Sequence, residues 1–201
     1  MILPNFGQSR HSGFTLIELL VTIAIAAILT MVAVPSLESF RRNAELTSAS
    51  NSLIANLNAA RSEAMKKGTN AMVSPVDPAG SWDSGWIVFS FGAANTTQVF
   101  NTATDNIVSR QGAVPEYLTV SGTGSAAATP PYIMFDASGY SKLKAGGFGA
   151  LTLNITRADL TGESLLEQTR RVKISNVGRV RVCRPKIASD PDCLETDSAG
   201  N

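Results

Sequence analysis

Two groups of residues in this 201-residue chain have the types and spacing for chemistry. One is Glu18, a single carboxylate inside the apolar run from Phe14 to Val34, where the other polar residues are Thr15, Thr22 and Thr30. A lone acid in hydrocarbon costs roughly 2.5–3.5 kcal/mol on insertion scales, so Glu18 calls for a second charge to neutralise it. The other group is the stretch from Arg170 to Lys186, which holds Arg170, Arg171, Lys173, Arg179, Arg181, Arg184 and Lys186 and no acid. The planar fork of arginine gives a phosphate two charge-assisted hydrogen bonds, so this cluster points to anion binding. A solvated outer sheet face, kept cationic against aggregation, is the competing reading. The charge reverses directly afterwards in Asp190, Asp192, Glu195 and Asp197.

The elements that must position these groups follow from periodicity. Phe14–Val34 is 21 residues, about 32 Å as a helix and enough to cross a bilayer. Pro35 follows it, where a helix loses one hydrogen bond and bends. Leu37, Phe40, Ala44, Leu46, Ala49, Leu53, Leu57, Ala60 and Ala64 then recur at helical steps. Lys66 and Lys67 suit the last turn and Gly68 the stop. The pattern predicts one helix of about 50 residues, lipid-facing first and amphipathic afterwards.

From Gly68 to Gly85 the chain reads as a loop, with Pro75, Pro78 and Gly80. Strand patterns follow at Trp86–Phe91, Thr97–Phe100, Tyr117–Val120, Tyr132–Phe135 and Ala150–Thr156, separated by Gly, Asn and Ser clusters. Ser121–Pro131 is of low complexity and reads as a mobile surface loop. Near the end, Val172 and Ile174 alternate with Arg171 and Lys173. After a turn at Asn176–Gly178, Val180 and Val182 alternate with Arg179 and Arg181. Paired as a hairpin with the valines inward, Arg171, Lys173, Arg179 and Arg181 share the outer face. Arg184 and Lys186 extend the cluster.

Composition narrows the function. With 17 Lys and Arg against 16 Asp and Glu, no global basicity draws the chain to nucleic acid, so any such affinity is local. His11 is the one histidine, and no G-x-S-x-G elbow or P-loop is present, so no catalytic residue, cofactor or metal site is expected. Asp77 and Asp83 are read as solvated turn residues rather than a calcium pair. Trp82 and Trp86 are read as core caps at a strand start rather than stacking platforms. Cys183 and Cys193 form an even pair, and in a domain exported beyond the cytoplasm they are expected to form a disulfide.

The residues Gly13-Phe14-Thr15-Leu16-Ile17-Glu18 resemble the prepilin signature of type IV pilins and type II secretion pseudopilins. The resemblance implies that a membrane-embedded prepilin peptidase cuts after Gly13 and methylates the new N-terminus, Phe14. It implies that Glu18 pairs with the N-terminal amine of a neighbouring pilin subunit during assembly. The divisions then expected are a leader over 1–13, a transmembrane helix over 14–34, an amphipathic continuation over 35–67 and a globular domain over 68–201. A long helix packed on an antiparallel β-sheet, an α+β pilin-like fold, resembles the GspH/FimT branch of minor pilins and pseudopilins. Such a protein is a single-pass inner-membrane protein with a periplasmic domain before it enters a pilus.

Gly178-Arg179-Val180-Arg181 resembles the GRxR motif that FimT minor pilins carry near their C-terminus, a DNA-contact site in natural transformation. The resemblance implies that Arg179 and Arg181 contact duplex DNA phosphates, supported by Arg171, Lys173, Arg184 and Lys186. The alternative is a structural subunit, similar to FimU or GspH, that primes a pilus or type II secretion pseudopilus and binds no DNA. A membrane-anchored enzyme is disfavoured because no catalytic group is visible.

Overall fold

The computed structural model describes residues 13–77, 80–92 and 98–195. Residues 1–12 of the expected leader, His11 among them, Pro78, the first residue of the expected Thr97–Phe100 strand and Asp197 of the acidic tail lie outside them. The chain divides into two compact units, Met1–Arg42 and Asn43–Asn201, with helix α1 (Leu16–Lys67) running through both.

In the first unit α1 is long and apolar enough to cross a membrane, and its apolar window is unburied. Leu16, Ile17, Leu20, Ile23, Ile28 and Leu29 all stand exposed. So continuous an apolar surface requires an apolar surrounding. Leu37 and Phe40 are exposed as well, so the buried stripe is shorter than the periodicity predicts.

In the second unit the stripe is real and begins at Leu46. Leu46, Leu53, Leu57, Ala60 and Ala64 are fully buried, while Ala44 is exposed. The helix ends as expected. Gly68 takes φ 66° and the N–H of Thr69 returns to the carbonyl of Ala64 at 3.2 Å, a Schellman closure.

Two antiparallel sheets share this helical spine. The first has the order β3-β2-β1-β5-β6, built from β1 (Ala71–Pro75), β2 (Trp86–Ser90), β3 (Asn106–Gln111), β5 (Ile133–Phe135) and β6 (Ser141–Lys142). The second has the order β4-β7-β8-β9, built from β4 (Leu118–Gly122), β7 (Leu151–Arg157), β8 (Arg170–Ile174) and β9 (Val180–Cys183). A short helix, α2 (Gly162–Glu167), joins β7 to β8.

Alternation assigns the faces. Ala71, Val73, Trp86, Val88, Ile133 and Phe135 of the first sheet join Leu151, Leu153, Ile155, Val172 and Ile174 of the second around α1. The in-between residues Met72, Ile87, Phe89 and Met134 form a second cluster with Tyr132 on the far side of the first sheet, against which Phe91 and Phe100 pack.

Three expectations are corrected. The stretch from Gly68 to Gly85 is not all loop, because β1 is the middle strand of the first sheet and pairs with both β2 and β5. Gln98–Phe100 is not a strand, and the edge position goes instead to β3, paired with β2. The low-complexity stretch is not a surface loop throughout: after β4 it buries Ser125 and Ala126, and the indole N–H of Trp82 donates to the carbonyl of Ala126 at 2.8 Å. Trp82 and Trp86 are thus core residues.

Candidate functional site

The basic stretch folds as a hairpin, as expected, with Val172 and Ile174 in the core, but Val182, expected inward, is exposed on the edge strand. Its register sets Arg171 opposite Cys183, Val172 opposite Val182, Lys173 opposite Arg181 and Ile174 opposite Val180. Partners across a strand pair share a face, so Arg171, Lys173, Arg181 and Cys183 lie together, away from the helical core. β8 is an inner strand, flanked by β7, while β9 is the edge.

The turn is built around Gly178. Its N–H closes Ser175–Gly178 by donating to the Ser175 carbonyl at 2.8 Å, and its φ of 74° is left-handed. A Cβ at this position would lie 1.8 Å from the carbonyl oxygen of Gly139. The glycine of the Gly-Arg-Val-Arg sequence therefore shapes the backbone. Arg61 of α1 fastens the same junction, its Nε donating to the Gly139 carbonyl at 2.9 Å and its Nη2 to the Val177 carbonyl at 3.4 Å. The N–H of Ser141 adds a bond to the Asn176 carbonyl at 3.0 Å. No sequence signal pairs Arg61 with residues so far along the chain.

The six expected cations divide into two sets. Arg179, Arg181, Arg184 and Lys186 are exposed. Arg171 and Lys173, expected on an open outer face, sit on that face but are 7% and 6% exposed. The C-terminal segment covers Arg171. Cys183 and Cys193 are joined (S–S 1.98 Å, Cα–Cα 5.8 Å), which turns the chain back over the sheet. Arg171 Nη1 donates to the carbonyl of Cys193, and Asn154 Nδ2 of β7 donates to Glu195 Oε1 at 2.8 Å.

Asp190 organises the loop. Its carboxylate accepts from the backbone N–H of Lys186 at 2.9 Å and of Asp192 at 3.1 Å, capping the short turn Pro191–Cys193. The Lys186 N–H first, then that of Asp192 and the charges of Lys186 and Arg171, hold the Asp190 carboxyl below the ordinary aspartate range. The Asp190-Pro191-Asp192 sequence was the available signal, since an Asx-Pro pair favours a turn.

Arg170 belongs to this neighbourhood too. Its guanidinium bonds the carbonyls of Glu167 and Thr169 and the side-chain oxygen of Asn43. Partial burial and then the charge of Arg184 push its pKa down. The cations at this end thus crowd one another, a condition an anion relieves.

At the other end, Gly13 and Phe14 are exposed ahead of the helix. Glu18 is not solitary. Its carboxylate accepts from the backbone N–H of Thr15 at 3.3 Å, and the Thr15 hydroxyl accepts from the Glu18 N–H at 3.3 Å. This is a capping box, legible in the Thr15-x-x-Glu18 spacing. Among the described residues no cluster of His, Cys, Asp and Glu could hold a metal ion.

Comparison with known proteins agrees with this architecture. A prokaryotic N-terminal methylation motif matches residues 8–34, and the model for the type II transport protein GspH matches residues 49–178. The GspH match therefore stops at Gly178, one residue short of Arg179. No curated protein matches the chain. Among solved structures, the type IV minor pilin FimU of Pseudomonas aeruginosa is similar at 20% identity and a TM-score of 0.51, over 74% of this chain and 99% of that one. The minor pseudopilin EpsH of the Vibrio cholerae type 2 secretion system aligns at 17% identity and a TM-score of 0.49, over 70% and 97%. With 130 of its 201 residues inside the GspH model and a methylation motif before them, the chain belongs to the GspH/FimT family of type IV minor pilins and pseudopilins.

Proposed function

We propose that this minor pilin binds DNA without sequence preference, through the basic patch at its C-terminal hairpin, and serves DNA uptake in natural transformation. The observation that carries the reading is the set Arg179, Arg181, Arg184 and Lys186, exposed on and just after an edge strand. Among the described residues neither Arg179 nor Arg181 makes an ion pair, so both guanidiniums are available to phosphate. Arg171 and Lys173 support the patch through their positive field rather than by contact. The role asks for binding, not catalysis. Prepilin peptidase processing at Gly13–Phe14, an inner-membrane anchor with a periplasmic domain, and Glu18 meeting a neighbouring subunit's amine complete the reading.

A subunit that only primes assembly of a pilus or pseudopilus is the second reading, favoured by the FimU-like fold. Gel-shift titration of the full chain in detergent micelles separates the two. Four neutralised phosphates give a log–log salt slope of about −3.6 on duplex DNA. Arg179→Gln with Arg181→Gln should halve that slope and lower affinity roughly fiftyfold at 0.1 M salt. A double variant that binds as the parent does removes the DNA reading and leaves the assembly role.

A further inference from the structure

Beside the hairpin lies a second exposed feature that neither a core nor a salt-bridged surface explains. Tyr140 and Phe148 are 40% and 55% exposed, and their rings touch, with centroids 5.3 Å apart and planes at 50°. They are placed by β6: Lys142 bridges to Phe148, and Tyr140 lies two residues before Lys142, hence on the same side. Ser141 between them turns inward, is buried and donates to the Gly149 carbonyl at 2.7 Å.

This aromatic pair adjoins the Gly-Arg-Val-Arg turn through direct backbone contact. Gly139 abuts Gly178 so closely that a Cβ on Gly178 would strike the Gly139 carbonyl oxygen, and the Ser141 N–H meets the Asn176 carbonyl. Tyr140 and Arg179 are therefore each one residue from the same junction. Val177, at the tip of the turn, is exposed alongside them. Arg179, Lys142 and Arg61 lie near in the chain or at the junction, with the acid Asp136, whose Oδ1 accepts from the N–H groups of Ser138 and Tyr140.

We propose that Tyr140, Phe148 and the Val177–Arg179 turn form one site for single-stranded DNA, in which bases stack on the two rings while Arg179 and Lys142 hold the flanking phosphates. The inference rests on the DNA-binding reading above and sharpens it to a strand form. Exposed rings next to cations are what an unpaired strand needs, since every base offers a π-face and its backbone remains anionic. A duplex hides its base faces and can use the cations alone. Arg61 positions the site from α1 by tying the Gly139 turn to the hairpin tip.

The test measures fluorescence anisotropy of the full chain in detergent micelles with a labelled 15-nucleotide oligothymidine and, separately, a 15-base-pair duplex. Tyr140→Ala with Phe148→Ala should weaken oligothymidine binding at least about fivefold, the lower end for one lost stacked base, and change duplex binding less than twofold. Tyr140→Phe should bind as the parent does, because stacking needs the ring and not the hydroxyl. An unchanged oligothymidine affinity in the double alanine variant overturns the site even while Arg179→Gln with Arg181→Gln still weakens duplex binding roughly fiftyfold, so the earlier reading survives. Equal losses on both probes, with an unchanged melting temperature, also overturn it by making the rings part of a general DNA surface. Intact oligothymidine binding with lost co-purification of other pilin subunits assigns the rings to a subunit contact instead. A parent chain that binds neither probe removes both readings together.

Discussion

The two arms of the C-terminal hairpin carry the same alternation of valine-type and cationic residues and meet opposite fates. On β8, Arg171 and Lys173 are buried; opposite them, Arg181 of β9 is exposed, as is Arg179 at the turn. The alternation sets which face each side chain occupies, but not whether that face is open. What closes it is the segment after β9, returned over the inner strand by the disulfide and held by Arg171, Asn154 and Asp190. Taking a cation from water costs several kcal/mol unless partners compensate, so Arg171 is committed to the fold. A position one strand further out leaves Arg181 free to meet a ligand.

The largest break in this contrast comes from opening the disulfide. Cys183→Ser with Cys193→Ser releases a loop with a sequence separation of ten, worth about 3 kcal/mol on the chain-entropy model. For a unit of this size the melting temperature should fall by roughly 6–12 °C. Because the segment also covers Arg171, the opened chain should expose one more cation. Its DNA salt slope should then steepen from about −3.6 towards about −4.5. Calorimetry and the gel-shift titration read the two consequences separately. A lowered melting temperature with an unchanged slope would mean that the segment stays seated without its crosslink.

A smaller change separates the arms one residue at a time. Arg171→Met keeps much of the side-chain volume but removes the donor to the Cys193 carbonyl and the charge beside Asp190. Stability should fall by about 1–3 kcal/mol, the range for a lost buried charge-assisted bond, while duplex DNA affinity changes less than twofold. Arg181→Gln should do the reverse, leaving the melting curve in place and weakening DNA. Denaturant melts paired with titrations on both variants give the comparison. If Arg171→Met weakens DNA as much as Arg181→Gln does, the burial of β8 does not decide which arm binds.

How much of this was legible depended on whether the cause was local. The long helix, its stop at Gly68, the β7 strand and the hairpin all follow from periodicity and turn residues within a few positions of one another. β1 escaped because Ala-Met-Val-Ser-Pro shows no polar alternation: Met72 faces one apolar cluster while Ala71 and Val73 face the other, so a strand covered on both sides looks like nothing in particular. Thr97–Phe100 misled for the opposite reason, since Phe100 packs on the second cluster from a non-strand backbone. The cover over Arg171 was partly readable. Cys183 has the parity of Arg181, so it lies on the cationic face, and a loop it closes starts there. Where that loop then lies depends on Asn154 and Arg171, which are distant in sequence, and no local pattern encodes such a contact. The Tyr140–Phe148 pair was hidden likewise, because the Gly139–Gly178 approach that brings it to the hairpin joins two turns from different sheets.

The gentlest way to loosen the cover is acid. Asp190 has a carboxyl held below the ordinary aspartate value of 3.8, chiefly by the backbone N–H of Lys186. A depressed carboxyl stabilises the folded loop fully above the ordinary aspartate range and loses that contribution as pH falls through its folded value. The window therefore lies from about pH 4 downwards, and at neutral pH nothing changes. Protonation removes the acceptor charge for Lys186 and Asp192 and the counter-charge for Arg171, but the disulfide remains, so the segment loosens without leaving. Hydrogen exchange followed by mass spectrometry, corrected for intrinsic rates, should show peptides over 184–195 losing protection below pH 4 before those over β7 and β8 do. Asp190→Asn should have that weakened protection already at pH 7 and show little further acid response. Protection that falls in step across 151–195 would place the acid-sensitive group elsewhere and make the cover no weaker than the sheet beneath it.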